Sequence, residues 1–184
     1  MKNRFFFLLP LAGKRVLVTA GPTYEKIDPV RFIGNYSSGK MGFAIAKECA
    51  LMGAEVTLVA GPVSLPTPHS AIKRVDVESA REMYSAAVDA FEGCDAAILS
   101  AAVADYRPSV QADKKIKRTE ESMKIELEAN PDIAAALGQS KRSGQLLGGF
   151  ALETNDAVAN ACLKLKKKNL DFIVLNSLED KGAG

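Results

Sequence analysis

Small hydroxyl, glycine and basic residues stand together at positions 31–42, in the stretch RFIGNYSSGKMG, just before an apolar run of helical period. Backbone N–H groups at the N-terminal end of a helix carry partial positive charge and favour a bound anion. The stretch therefore predicts a phosphate or acidic-substrate site, although an ordinary serine N-cap with a glycine for close packing explains the same pattern. The residues predicted to bind phosphate or substrate are Arg31, Asn35, Ser37, Ser38, Gly39 and Lys40.

Neither of two common phosphate-binding fingerprints fits this loop. A P-loop needs a hydroxyl residue directly after its Gly-Lys pair, whereas Met41 follows Lys40 here. A dinucleotide fold has Gly-x-Gly directly after its first strand, whereas this chain has Gly21 followed by Pro22 at that place. The loop predicts an anion without identifying the molecule that carries it.

Asn35 brings a neutral amide, both donor and acceptor, into the same loop. Such a group can hold a carboxylate oxygen or an acyl phosphate without adding charge, which makes Asn35 a candidate for chemistry at an acyl group. The alternative is a turn asparagine, a common fate for an asparagine in a loop.

A second cationic stretch, DKKIKR, occupies positions 113–118. Lysines on a loop can close over a polyphosphate and neutralise charge on a leaving pyrophosphate. A solvated surface loop is the alternative, and an RNA patch is disfavoured because no aromatic residues are interleaved with the lysines. Asp105, just after an apolar run, is placed for a ribose, a base or a magnesium ion, or else for a simple cap.

The composition narrows the classes of function. The chain has 184 residues, of which 47% are hydrophobic, so we expect one well-buried domain. A net charge of +2 is too weak for a nucleic-acid footprint. His69 is the only histidine, which excludes histidine triads and multi-histidine metal sites. Three separated cysteines suggest neither a disulfide framework nor a zinc site, which favours the reducing cytoplasm.

The two ends of the chain differ from its middle. Residues 1–13, MKNRFFFLLPLAG, indicate a leader, a linker remnant or an edge segment, with a signal peptide as the alternative. Their apolar run is too short to span a bilayer. The chain stops on a glycine-rich turn directly after a predicted strand, so we expect a further C-terminal portion of the domain. The predicted domain therefore occupies residues 14–184.

Apolar runs and helical periodicity alternate along this domain. Strands are predicted at residues 15–20, 55–60, 72–77, 95–102, 123–129, 146–154 and 171–176. Helices are predicted at residues 41–52, from a Ser79 capping box to about residue 91, after an Asn130 cap with Pro131 in the first position, and at residues 156–168. Residues 105–122 are interpreted as a loop. The alternation predicts an α/β fold, Rossmann-like and doubly wound, with a mostly parallel sheet and helices on both faces.

Six stretches taken together carry a resemblance: TAGPTYEKIDPVRFIGNYSSGKMG, AAVADYRP, KKIK, NPDI, GFALET and KKKNLDFIVLN. Each is weak alone, but their order and spacing resemble the phosphopantothenoylcysteine synthetase family, the synthetase half of the bacterial bifunctional coenzyme A biosynthesis protein. The resemblance covers residues 14 to about 182.

The resemblance implies a ligase of coenzyme A biosynthesis. In this family the carboxylate of 4′-phosphopantothenate is activated by CTP with Mg²⁺, and L-cysteine then displaces CMP. It also implies a cytoplasmic homodimer, with a flavin-dependent decarboxylase as a fused or partner domain, so that no FMN is assigned to this domain. Neither nucleic acid nor membrane is expected as a partner. Animal relatives use ATP, and one sequence leaves that choice open.

The resemblance also implies roles for particular residues. Asn35 matches the asparagine that contacts the activated carboxyl group, and Lys115 matches the lysine that stabilises charge while the cytidylate forms; these two are the predicted catalytic residues. The nucleotide-binding residues implied are Ala101, Asp105, Lys115, Pro131, Asp132, Ile133, Ala134, Phe150, Lys164 and Lys168.

Two other classes of function stay open at this point. An oxidoreductase that binds NAD(P) on a Rossmann fold fits the element order, but the second strand ends in VAGPV, with no acid to take the ribose hydroxyls. A non-catalytic nucleotide-binding or dimerisation module fits the apparent lack of a C-terminal portion.

Overall fold

The computed structural model describes residues 9–118, 122–153 and 156–177. Most of the predicted leader, the predicted strand end at Thr154 and the tail at 178–184 lie outside these residues. Within them, the helices are α1 Lys40–Leu51, α2 Ala80–Glu92, α3 Ile133–Ser140 and α4 Ala157–Lys167. The strands are β1 Arg15–Ala20, β2 Tyr24–Lys26, β3 Phe32–Gly34, β4 Glu55–Ala60, β5 Ile72–Asp76, β6 Ala96–Leu99, β7 Tyr106–Pro108, β8 Leu127–Ala129, β9 Leu146–Glu153 and β10 Phe172–Ser177.

Six of these strands form one parallel sheet in the order β10-β9-β6-β1-β4-β5. This is the strand order of a Rossmann-type doubly wound fold, which confirms the predicted fold class. The chain first runs from β1 toward β5 and then resumes on the other side of β1 with β6. The topological switch point therefore lies between β1 and β6, where open α/β sheets bind their ligands.

Strand β1 is apolar on both faces because helices cover both. Val16, Val18 and Ala20 belong to one buried cluster with Phe43 of α1. Leu17 belongs to a second cluster with residues of α2 and α3. A parallel strand buried on both sides reads as a continuous apolar run, which is why its bounds were predicted correctly.

Two small antiparallel pairs interrupt the βα rhythm at the switch point. β2 pairs with β3 between β1 and α1, and β7 pairs with β8 between β6 and α3. The prediction that residues 105–122 form only a loop is therefore wrong, and the strand predicted at 123–129 is confined to Leu127–Ala129. The β7–β8 pair is held by Arg107, whose guanidinium forms an ion pair with Glu128 at 2.7 Å.

The start of α3 also differs from the prediction. Asp132 is the N-cap, because its carboxylate accepts a hydrogen bond from the Ala135 N–H at 3.0 Å. Asn130 instead donates its side-chain amide to the Ala104 carbonyl at 2.9 Å, and Pro131 precedes the cap. Asn130, which follows β8, therefore binds the segment that leads into β7 and connects the two ends of the β7–β8 pair. At α2, by contrast, the predicted capping box of Ser79 and Glu82 is confirmed.

No helix among the described residues is long and apolar enough to cross a membrane.

Candidate functional site

Two cavities that share lining residues open at the carboxyl-terminal edge of the sheet. The inner cavity, of about 320 Å³, lies at the switch point beside α3 and α4. The loop cavity, of about 470 Å³, lies beside the N-terminus of α1. Ala101, after β6, and Phe150, in β9, line both. A ligand in one cavity would therefore lie next to a ligand in the other.

The inner cavity combines an apolar wall with polar groups. Leu99, Ile133 and Leu170 contribute apolar surface, and Thr19 of β1 contributes a hydroxyl that also accepts a hydrogen bond from the Ala101 N–H at 3.3 Å. Nine of the ten residues predicted to bind nucleotide line this cavity: Ala101, Asp105, Pro131, Asp132, Ile133, Ala134, Phe150, Lys164 and Lys168. Its size and mixed lining suit a small organic ligand with charged groups.

Charge in the inner cavity is arranged around Asp132. Lys168 forms an ion pair with Asp132 at 3.0 Å, and Lys164 also lines the cavity. Burial by itself would raise the pKa of Asp132, but the Ala135 N–H and the Lys168 ammonium outweigh it, so the pKa lies below its usual value. The pair leaves Asp132 ionised at neutral pH, so that Lys168 and Asp132 offset one another, and Lys164 adds a second cation to the lining.

The loop cavity is built on the Ser-Ser-Gly-Lys stretch. Ser37, Ser38, Gly39 and Lys40 all line it. Gly39, with φ of 76°, is the N-cap of α1, and no side chain caps the helix. The alternative of an ordinary serine cap is therefore wrong. The two serine hydroxyls accept the N–H groups of Gly39 and Lys40 at 3.3 and 3.4 Å, which shapes the loop rather than closing the helix end.

Close packing fixes where α1 begins. A Cβ atom on Gly42 would lie 2.5 Å from the Cβ atom of Ala20, so only glycine lets the first turn of the helix approach the end of β1 this closely. The helix N-terminus is thereby held at the carboxyl-terminal edge of the sheet, beside the loop cavity. The glycine packing is thus observed, and the anion site stays a prediction for the same helix end.

Asn35 lies beside the cavities without lining either of them. Its amide donates to the carbonyl of Val103 at 3.0 Å and to that of Ala102 at 3.4 Å. Ala102 lines the loop cavity, as does Tyr36, the neighbour of Asn35. In this structure Asn35 thus connects the loop before α1 to the segment after β6.

Arg31 and Lys115 also lie outside both linings. The Arg31 guanidinium contacts the carboxylate of Asp28 and donates to the Ile116 carbonyl at 2.8 Å. Two nitrogens of the guanidinium predicted to bind phosphate, Nε and Nη2, thus bind protein groups. Lys115, which precedes Ile116, is exposed on this loop.

Asp28 is a fully buried carboxylate under this loop. The Arg31 guanidinium, with the N–H groups of Ile116, Val30 and Arg31, outweighs the effect of burial and holds the pKa of Asp28 well below its usual range. Nothing in the sequence pattern shows that Asp28, one polar residue of the long segment between β1 and α1, would be buried.

Several lining residues carried no usable signal in the sequence. Thr19 reads as part of a buried strand, and Asn130 reads as a helix cap. Ser100 lies within the strand predicted at 95–102, although β6 ends at Leu99, and Asn176 ends the strand predicted at 171–176; both line the loop cavity. Strand order alone brings them together, because the carboxyl ends of β6 and β10 lie at the same edge of the sheet.

Comparison with known proteins gives one family and close relatives. Residues 11–184 match the family described as DNA/pantothenate metabolism flavoprotein C-terminal domain. The "Coenzyme A biosynthesis bifunctional protein CoaBC" of Vibrio cholerae serotype O1 is 50% identical over 184 residues, 99% of this chain and 46% of that protein. The solved C-terminal domain of a protein of the same name is 48% identical, with a TM-score of 0.80, and the match covers 90% of this chain and 78% of that one.

A third relative bears a different name. A "Cysteine/Cysteine sulfinic acid decarboxylase" from an unknown prokaryotic organism is 61% identical over 175 residues, 95% of this chain and 49% of that protein. The chain thus spans about half the length of the relatives it matches. Each name belongs to the whole of a longer protein.

Proposed function

The chain belongs to the DNA/pantothenate metabolism flavoprotein C-terminal domain family, and from this membership we propose that it is a phosphopantothenate–cysteine ligase of coenzyme A biosynthesis. The membership confirms the resemblance drawn from the sequence motifs. Under this proposal the chain activates the carboxylate of 4′-phosphopantothenate with CTP and couples it to L-cysteine.

The proposed reaction has two steps. A carboxylate oxygen of 4′-phosphopantothenate attacks the α-phosphorus of CTP, the bond from that phosphorus to the bridging oxygen breaks, and pyrophosphate leaves. The cysteine amine then attacks the acyl carbon, the bond from that carbon to the cytidylate oxygen breaks, and CMP leaves. The amine loses a proton as the amide forms. Two ligands must therefore lie side by side, with the α-phosphate at their junction.

The junction of the two cavities is the observation that carries the proposal. CTP would occupy the inner cavity, with its ribose and base against the apolar wall and its phosphates toward Lys164 and Lys168. 4′-Phosphopantothenate would occupy the loop cavity, with an anionic group near Gly39 and the N-terminus of α1. The reacting atoms would then meet near Ala101 and Phe150, which line both cavities.

Asn35 and Lys115 are proposed as the catalytic residues. Lys115 would neutralise charge that develops on the phosphates as pyrophosphate leaves, which requires its loop to place the ammonium over the cavities. Asn35 would contact the activated carboxyl group from the segment that it already shares with Ala102 and Val103. Both residues lie at the same carboxyl-terminal edge of the sheet as the cavities.

Mg²⁺ fits the site only as an ion that accompanies the nucleotide. The described residues contain no group of three or more His, Cys, Asp or Glu that could hold a metal. Asp105, which lines the inner cavity, could supply one carboxylate. Magnesium commonly keeps several waters and binds through one or two carboxylates and substrate phosphates, where it offsets phosphate charge.

The proposal extends to partners that the resemblance implies. The relatives named "bifunctional" are about twice as long as the match, so we propose that such proteins carry a flavin-dependent decarboxylase domain beside this ligase domain. A cytoplasmic homodimer belongs to the same proposal, as does CTP rather than ATP.

The decarboxylase name of the 61% identical relative supports a second candidate function, decarboxylation of cysteine or cysteine sulfinic acid. The oxidoreductase alternative is weaker, because β4 is followed by Gly61 and Pro62 where an NAD-binding fold has an acid.

Pyrophosphate release separates these candidates. The purified chain is incubated with CTP and 4′-phosphopantothenate, with and without cysteine, and again with ATP in place of CTP. Release that requires 4′-phosphopantothenate, followed by CMP and amide when cysteine is added, is expected for the ligase. Carbon dioxide from cysteine or cysteine sulfinic acid, without pyrophosphate, would overturn the proposal in favour of the decarboxylase.

A further inference from the structure

The buried carboxylate of Asp28 divides its two oxygens between two tasks. Oδ1 accepts hydrogen bonds from the N–H groups of Val30 at 2.8 Å and Arg31 at 2.9 Å, which closes the turn between β2 and β3. Oδ2 accepts from Arg31 Nε at 3.0 Å, from the same guanidinium's Nη2, and from the Ile116 N–H at 3.1 Å. One oxygen thus serves the local turn, and the other reaches a segment far away in the chain.

In the distant segment, both backbone polar groups of Ile116 are hydrogen-bonded. Ile116 donates its N–H to Asp28, and its carbonyl accepts from Arg31 Nη2 at 2.8 Å. A second attachment precedes it, since the Ala112 N–H donates to the Ile27 carbonyl at 3.0 Å. Lys115 lies between these two attachments and directly precedes Ile116.

We propose that Asp28 is a positioning residue that acts through Ile116, holding the backbone beside Lys115 so that the lysine ammonium reaches the reacting phosphates. Arg31 completes the clamp by binding Asp28 and the Ile116 carbonyl together. This inference rests on the proposed function, because it presupposes the role of Lys115.

The position of the Lys115 ammonium depends on the backbone that carries it. An exposed lysine has a long side chain with several rotatable bonds, so its ammonium is useful only if its backbone is fixed. Hydrogen bonds to an ionised, buried carboxylate are strong, and Asp28 makes one to the residue next to Lys115. Oδ2 also accepts from the Arg31 side chain within the same turn, so the contact that goes beyond the turn is the one from the Ile116 N–H.

Asp28→Asn tests the clamp with little change of shape. With its amide oxygen in the place of Oδ1, the turn keeps its acceptor. The amide nitrogen then stands in the place of Oδ2 and opposes the Ile116 N–H and the Arg31 guanidinium, since both are donors. Arg31→Lys is the second variant, because it keeps a positive charge beside Asp28 but lacks the planar fork that reaches two acceptors.

The decisive readout is a double-mutant cycle on pyrophosphate release at saturating CTP. Asp28→Asn is expected to slow release about 10- to 100-fold, the cost of a misplaced catalytic group. Combined with Lys115→Gln, it is expected to add little to the loss caused by Lys115→Gln alone, because both changes remove the same contribution. Losses that multiply would overturn the proposal, since Asp28 would then act independently of Lys115.

Hydrogen exchange of the Ile116 amide tests the clamp without requiring enzymatic activity. The Ile116 amide is expected to exchange faster in Asp28→Asn and in Arg31→Lys than in the parent chain. The matched control is Asp171→Asn, which alters a carboxylate that likewise accepts a backbone N–H, from Leu147, and pairs with a lysine. The control is expected to leave Ile116 exchange and pyrophosphate release unchanged.

The outcomes separate the two proposals. If Lys115→Gln keeps full activity, the proposed role of Lys115 fails. If Lys115→Gln is inactive while Asp28→Asn has normal rates and normal Ile116 exchange, only the clamp fails. Arg31→Lys answers the same question if Asp28→Asn does not fold: slowed release with faster Ile116 exchange supports the clamp, and normal values for both overturn it.

Discussion

Polar side chains at the amino-terminal edge of the parallel sheet pair with one another and with strand ends, whereas those at the carboxyl-terminal edge line cavities. At the amino-terminal edge, Asp95 and Asp171 stand directly before β6 and β10. Asp95 accepts the Arg15 N–H at 2.8 Å, and Asp171 accepts the Leu147 N–H at 2.6 Å. A lysine pairs with each carboxylate, Lys14 with Asp95 and Lys141 with Asp171. The carboxyl-terminal edge instead has two cavities lined by serine, asparagine, aspartate and lysine.

The difference lies in the connections. Turns at the amino-terminal edge are short. Their aspartates accept hydrogen bonds from strand N–H groups and form ion pairs with lysines. The two insertions that carry β2–β3 and β7–β8 both leave from the carboxyl-terminal edge, on either side of the switch point. The same residue types thus stabilise the fold at one edge and form a candidate site at the other, and position in the topology distinguishes them.

Among the variants at the two edges, Lys115→Gln should cause the largest loss of activity. Removing the ammonium should slow pyrophosphate release about 100- to 1000-fold, the range found when one group that stabilises a developing charge is lost. Because Lys115 is exposed on a loop, the melting temperature should stay near that of the parent chain. Rapid-quench analysis of pyrophosphate, with a thermal melt as the control, measures both. A variant that unfolds, or that turns over normally, contradicts the assigned role.

Asn35→Asp should have the next largest effect. The new carboxylate adds negative charge beside the activated acyl group and cannot donate to the Val103 and Ala102 carbonyls. We expect kcat to fall about 10- to 100-fold, comparable to the loss of an oriented hydrogen-bond donor at a reacting centre. Steady-state kinetics with CTP and 4′-phosphopantothenate test this, and near-normal constants would count against Asn35.

Asp171→Asn should have the smallest effect, confined to stability at the amino-terminal edge. Burial opposes ionisation of Asp171, but the Leu147 N–H and Lys141 outweigh it, so the pKa of the folded form lies below the usual 3.8. The ionised carboxylate therefore stabilises the fold above pH 3.8, and that contribution is lost as the pH falls below it.

Melting temperatures of Asp171→Asn and the parent chain should thus differ at pH 7 and converge toward pH 3, while CTP turnover at pH 7 stays unchanged. A difference that persists unaltered in acid would show that the ionised form of Asp171 does not stabilise this edge.

The sequence predicted β1 and β4 with their observed bounds because these strands are apolar runs that are largely buried. The strand predicted at 95–102 is shorter than expected, since β6 comprises only Ala96–Leu99. The strands of the two small pairs are each three residues long, which is too short for an alternating pattern to reveal them. Nine lining residues of the inner cavity coincide with residues that the family resemblance implies for nucleotide binding, and their role stays a prediction. Spacing alone gave only polar groups at strand ends.

The role of Asp28 could not be predicted for a related reason. Its burial depends on the Lys115 loop folding back over the β2–β3 turn, a contact between segments far apart in the chain. Arg31 was likewise predicted to bind phosphate because a basic residue beside a Ser-Ser-Gly loop suits an anion, and only the fold shows that its guanidinium contacts Asp28.

Calorimetric titration of CTP into two matched lysine variants tests the contrast between the edges most directly. Lys168 and Lys141 each pair with an aspartate at 3.0 Å, Lys168 with Asp132 in the inner cavity and Lys141 with Asp171 at the amino-terminal edge. We expect Lys168→Met to weaken CTP binding about tenfold, the loss of one charge-assisted contact, and Lys141→Met to leave the Kd of CTP unchanged. Equal affinities in the two variants, or a greater loss in Lys141→Met, would contradict the assignment of the nucleotide to the inner cavity.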